Sequence, residues 1–134
     1  MSVSIKAIVA DIVSQVEAQI PARATRCSIV LKNTSMEVLS GPRSGRTYRK
    51  PNGGTYIASA PGEPPAARTS TLMGSFRPIQ DEPNVAGIYT SVPYAAKLEE
   101  GTSRMARRPY RERTIEQSMP GIEQIMNEPY SVEI

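Results

Sequence analysis

Apolar residues recur at steps of three and four from the start of the chain. Ile5, Ile8, Val9, Ile12, Val13, Val16 and Ile20 fall on one stripe, the mark of an amphipathic helix. The stripe resumes beyond Pro21 through Ala24, Cys27, Leu31 and Val38 in nearly the same phase. This pattern predicts one long helix, kinked or jointed at Pro21, that stops before Gly41-Pro42. A stripe of that length outruns a small core. Part of it faces either a neighbouring subunit or the chain's own sheet.

The period then changes. Arg46–Lys50 and Thr55–Ser59 alternate, with the turn Pro51-Asn-Gly-Gly54 between them, which predicts a hairpin. Its apolar content is too low for a core, so residues 43–66 read as a projecting arm followed by the stiff, extended segment Ala60–Ala66. Thr69-Ser-Thr-Leu-Met73 starts a short helix with a hydroxyl cap. Two strands follow, roughly Phe76–Gln80 and Val85–Ser91, joined by the polar turn Asp81–Asn84.

Pro93 opens and Gly101 closes a further helix, whose Tyr94 and Leu98 share a face meeting the core. A last helix begins near Tyr110, with Ile115, Met119, Ile122 and Met126 as its stripe and Pro120 kinking it. The order of elements is α+β: a long N-terminal helix, an extended hairpin arm, a small antiparallel sheet and two C-terminal helices. The length, 134 residues, suits a single domain spanning 1–134.

Charge sharpens this picture. The net charge is only +3, but residues 41–79 carry Arg43, Arg46, Arg49, Lys50, Arg68 and Arg77 against Glu63, whereas residues 80–100 carry Asp81, Glu82, Glu99 and Glu100 against Lys97. Opposite patches on one small domain favour head-to-tail self-association, although ordinary surface scatter accounts for them equally well. A basic run, Arg104, Arg107, Arg108, Arg111 and Arg113, follows the acidic end of the helix at Glu99 and Glu100. That juxtaposition suits charge-paired contact within or between subunits.

Candidate chemistry is sparse. The chain has no histidine and one cysteine, which removes the Ser-His-Asp triad, an internal disulfide and nearly every zinc site. Cys27 lies among apolar positions and reads as a buried, inert thiol. Glu99 and Glu100 are neighbours on a helix and point about 100° apart, so they do not flank one scissile bond. Gly41–Thr47 fails as a phosphate loop: three residues separate its glycines, Arg46 replaces the lysine, and no apolar strand precedes it. The expectation is a protein without enzymatic activity, cofactor or metal. It has no apolar run of ~18 residues for a membrane span and no secretion signal, so a cytoplasmic origin is expected.

Two motifs then point in one direction. Ser59-Ala-Pro-Gly-Glu-Pro-Pro-Ala66, followed by Thr69 and Leu72, and Tyr94-Ala-Ala-Lys-Leu-Glu-Glu-Gly-Thr102, followed by Met105, Arg108, Pro109 and Tyr110, together resemble the tail-completion (neck) proteins of long-tailed bacteriophages. Arg68-Thr69-Ser70 departs from the family's Asp-Thr-Gly, and Glu100 stands where an aromatic is common. The resemblance implies a small α+β subunit of a ring, a hexamer, at the head–tail junction of the virion, assembled in the host cytoplasm. Its partners would be its own copies, the tail tube protein, a head-completion or connector protein, and DNA passing through the lumen without sequence readout.

The residues expected at subunit or partner contacts are Arg43, Arg46, Arg49, Lys50, Pro61, Glu63, Pro64, Pro65, Glu99, Glu100, Arg104, Arg107 and Arg108. A head-side connector or stopper ring is the neighbouring alternative. A non-specific DNA-binding module is the alternative from another class, resting on the arginine run. Against the module stand the glutamates Glu112, Glu116 and Glu123 interleaved with those arginines.

Overall fold

The computed structural model describes residues 4–66 and 71–134. Helix α1 runs Ile5–Ser40 without interruption, with Pro21 inside it. At 1.5 Å per residue it is about 54 Å long. Hairpin β1–β2 (Thr47–Arg49 and Thr55–Ile57), hairpin β3–β4 (Arg77–Glu82 and Val85–Tyr89), helix α2 (Ala95–Glu100) and helix α3 (Arg111–Met126) follow in that order. The fold is α+β, with two separate two-stranded antiparallel sheets.

Each element keeps the local chemistry that builds it. In the arm, Tyr48 pairs with Tyr56 across the strands, their rings stacked 5.5 Å apart. The turn closes through Lys50 N–H to Gly54 O at 3.0 Å, with Gly53 and Gly54 at positive φ, where only glycine is unstrained. In the second hairpin the turn is shorter than its polar sequence suggests. Asp81 and Glu82 belong to β3, and an irregularity between Ile79 and Glu82 shifts the register by one residue. The Gln80 side chain fixes this end of the hairpin, its amide nitrogen donating to Pro21 O and Pro83 O and its oxygen accepting from Thr25 Oγ1.

The apolar core gathers at the C-terminal end of α1. Val38 and Leu39 pack with Leu72, Phe76, Ala95 and Tyr110, and Met73, Ile88, Val92 and Leu98 lie against them. Tyr94 is not part of it. It stands at the N-cap of α2 and is exposed, so Ala95 and Leu98, three apart, turn inward instead. The expected helix after residue 68 falls partly on residues outside those described; its remainder, Thr71–Ser75, is a turn closed by Ser75 N–H to Leu72 O.

α3 packs antiparallel on α1 through small residues rather than through its most apolar row. Thr114, Ser118 and Ile125 are buried, and a Cβ on Gly121 would lie 3.2 Å from Val30 Cγ1. On α1 the buried small residues are Ser28, Thr34 and Ser35. The hydroxyls of Ser28, Ser35, Thr114 and Ser118 each donate to a backbone carbonyl three or four residues earlier. These polar groups are satisfied within their own helices, and the two backbones can approach closely. Ile115, Met119 and Met126 are left exposed.

The same correction applies to α1. Among the described residues nothing before Arg23 is buried, and Ile5, Val9 and Val13 face solvent. Among the described residues the end of the second hairpin meets this half at Pro21, and the C-terminal tail runs along it. Gln19 and Gln15 each use both amide atoms on the tail backbone, donating to Ser131 O and Glu133 O and accepting from Ser131 N–H and Glu133 N–H. A spacing of four on the helix, about 6 Å, matches a spacing of two along an extended strand.

Candidate assembly interface

The two motif segments interlock at the end of α1. Gly101, at φ 79, ends α2 and donates to Lys97 O, and a Cβ there would lie 2.9 Å from Arg107 N. Glycine thus lets the 102–110 loop fold back on α2, where Arg108 N–H donates to Leu98 O. Arg108 Nε reaches Ser59 Oγ at 2.9 Å. Gly62 N–H donates to Arg107 O at 3.2 Å, and Arg113 donates to Gly62 O. The Ser59–Ala66 segment is therefore built into the fold. Pro61-Gly62 forms a turn, with Gly62 at φ 84 and Glu63 N–H donating to Ala60 O at 3.0 Å, where full extension was expected. Pro64 and Pro65 beyond it are buried.

Several of the expected contact residues spend their polar atoms inside the chain. Arg43 donates to the carbonyls of Val38, Gly41, Pro42, Pro64 and Pro65, stapling the end of α1 to the proline segment. Burial pulls its guanidinium down from the usual arginine range. The Glu63 carboxylate accepts from the Ser44 hydroxyl and from the Ser44 and Ala60 amides, closing the root of the arm. Glu99 Oε2 accepts from Tyr110 N–H at 2.8 Å and Arg111 N–H at 3.1 Å, satisfying the first amides of α3 as a cap supplied from another helix. Tyr110 donates its hydroxyl to Ala95 O and meets Phe76 edge-on. Burial, and secondarily the Glu99 charge, push its phenol up.

The outward set is smaller. Arg46 and Arg49 are exposed on the arm and Lys50 is half-buried, and none of the three is in a salt bridge or donates a side-chain hydrogen bond among the described residues. Pro61, Glu100 and Arg104 are exposed. Arg107 sits 3.9 Å from both Glu99 and Glu112, at the long limit of an ion pair, whereas Arg108 pairs with no carboxylate among the described residues.

A groove of about 570 Å3 opens beside this junction. Its floor is Leu31 and Ser35 of α1, and its walls come from β4, α2 and the start of α3, including Ile88, Ala96 and Ile115. Cys27 is half-buried rather than fully enclosed, and burial pushes its thiol up, away from the reactive thiolate. Among the described residues no group of His, Cys, Asp or Glu could hold a metal ion, and no helix is long and apolar enough to cross a membrane.

Three features escape a reading by hydrophobic pattern. These are buried Arg23, the glutamine pair at Gln15 and Gln19, and the small-residue seam. Of these only the tail held by the glutamine pair has a local signal, the unread alternation of Tyr130, Val132 and Ile134.

The Glu63 carboxyl carries a pH prediction. The Ser44 hydroxyl first, then the Ser44 and Ala60 amides, hold it below the ordinary 4.5. A depressed carboxyl stabilises the fold above its unfolded value and loses that contribution as pH falls through its folded value. The root of the arm should therefore stay closed at pH 4.5 and open only below it. Amide resonances of Ser44 and Ala60, followed by NMR on acidification, should move together with a midpoint below 4.5; a midpoint at or above that value would contradict the capping role.

No protein-family model, curated protein or solved structure matches this chain.

Proposed function

We propose that this chain is a structural virion protein, one subunit of a ring at the head–tail junction that joins the tail tube to the head-completion proteins and surrounds the DNA channel. The observation that carries the reading is the interlock of the two segments that resemble the neck-protein family. Ser59–Gly62 and Arg107–Arg113 hold each other by hydrogen bonds, so the motifs form one structural unit that presents the arm on one side. A head-side connector ring has the same requirements and is the neighbouring position in the same assembly.

DNA sliding through such a ring has every sequence, so the lumen needs neither base readout nor tight phosphate clamps. The purified protein should run as a closed oligomer in size-exclusion chromatography with light scattering, and negative-stain images should show rings. A strict monomer that binds duplexes of chosen sequence below micromolar at near-physiological salt would replace this reading with the DNA-binding module.

A further inference from the structure

Two surfaces of the chain are complementary in charge and largely open to solvent. The first is the outer side of α3. At about 100° per residue, Ile115, Met119 and Met126 fall within about 40° of one another, and Glu112, Glu116 and Glu123 form a second row beside them, on the side away from α1. The apolar row is 39–46% exposed. Glu116 and Glu123 have no cationic partner among the described residues, and Glu112 has only Arg107 at 3.9 Å. A solvated helix back would place charges there without an apolar row. Here an apolar strip, continuous through Ile115 with the groove over Leu31, is edged by three carboxylates.

The second surface is the arm. Arg46, Tyr48 and Lys50 alternate along one strand and so share one face of the ribbon. Tyr48 is 43% exposed, and both flanking cations lack partners among the described residues. From Arg46 to Lys50 the strand runs about 13 Å, and from Glu112 to Glu123 the helix runs about 16 Å. An isolated two-stranded ribbon is marginal in water, so this one gains from a partner that covers its exposed face.

We propose that the arm of one copy docks on the outer side of α3 of a second copy, Tyr48 against the Ile115–Met119–Met126 row and Arg46 and Lys50 against Glu112, Glu116 and Glu123. The contact is heterologous: each copy offers one arm and one α3 face. It therefore propagates head to tail and closes a ring when the rotation allows. The inference rests on the ring reading and names the surfaces that would build it.

Charge reversal tests it in the full chain. The arm variant Arg46→Glu with Lys50→Glu, and the helix variant Glu116→Lys with Glu123→Lys, each set like charges against each other in every contact. Each alone should raise the dissociation constant for self-association by more than about tenfold. An equimolar mixture should assemble again, because the acidic arm meets the basic helix and the basic arm meets the acidic one. Light scattering of each variant and of the mixture reads all three states.

If either variant alone assembles like the unaltered chain, the docking is wrong while the ring reading stands. Two monomeric variants whose mixture stays monomeric also overturn it, since the surfaces then do not meet. If the arm variant keeps its oligomer but loses salt-sensitive binding to a labelled DNA duplex, the arm contacts nucleic acid and the docking is again wrong. An unaltered chain that never associates removes both readings.

Discussion

Deletion of residues 46–58 should leave a folded monomer that no longer assembles. The arm is joined to the body at a narrow root, where Gly45 N–H donates to Ala58 O and Ala58 N–H to Arg46 O. A Cβ on Gly45 would lie 2.8 Å from the carbonyl carbon of Ser59, so the two ends of the deletion already touch. A peptide bond between Gly45 and Ser59 can form with little backbone movement. The Arg43 staple and the Ser44–Glu63 clasp lie outside the deleted stretch, and no arm residue belongs to the core cluster. Thermal unfolding should accordingly shift by no more than a few degrees, about what 1 kcal/mol produces in a domain of this size. Light scattering should fall from the mass of the oligomer to that of one chain. A deletion variant that still completes rings would make the arm dispensable and overturn its docking on α3, while the ring reading stands.

The elements themselves were legible because each is announced locally. The stripe from Ile5 onward predicts a helix, Asn52-Gly-Gly54 predicts a tight turn, and Gly101 predicts a stop; the structure has all three. Burial was less legible. Hydrophobic period selects the most apolar row of α3, yet the row that packs is Thr114, Ser118, Gly121 and Ile125. Close approach of two helices favours small side chains, and hydroxyls that bond back to their own helix remove the objection to burying them. On α1 the pattern predicts a stripe but says nothing about how far the body reaches along it, and here no residue before Arg23 is buried.

The candidate interface divides along a similar line. Sequence alone marks Arg43, Glu63 and Glu99 as charged residues in polar loops or helix ends, and charged residues of that kind are usually solvated. Their roles depend on backbone groups distant in sequence: Pro64 and Pro65 carbonyls for Arg43, the Ala60 amide for Glu63, the Tyr110 amide for Glu99. Backbone donors and acceptors have no residue type, so no motif records them. Arg46 and Arg49 were easier to place, since a ribbon with so few apolar residues leaves most of its side chains outside, although Lys50 is half-buried.

Replacing Arg23 by alanine should cost about as much stability as truncating a core side chain. Arg23 is 6% exposed and is in no salt bridge among the described residues. Its charge is met instead by oxygens at the end of α3: Nη1 donates to Ile125 O at 2.9 Å and Met126 O at 3.2 Å, and Nη2 donates to Pro129 O at 2.9 Å. Ile125 and Met126 close the last turn of α3, at the negative pole of its dipole, and Pro129 follows it. The guanidinium also lies 3.8 Å from the centre of the Tyr130 ring, a stacked cation. Alanine removes the donors and leaves those carbonyls in a partly dry seam, a loss of about 3 kcal/mol, because bonds to charged groups are worth about 1.5–3 kcal/mol each and do not add fully. Lysine should fail to rescue, since one ammonium cannot reproduce the planar fork that reaches three carbonyls. Urea unfolding should show the lowered midpoint, and hydrogen exchange should rise in residues 127–134 before it rises in the core. An Arg23→Lys chain as stable as the original would show that charge alone suffices there. An Arg23→Ala chain within about 1 kcal/mol of the original would show that the tail is held by Gln15 and Gln19 without it.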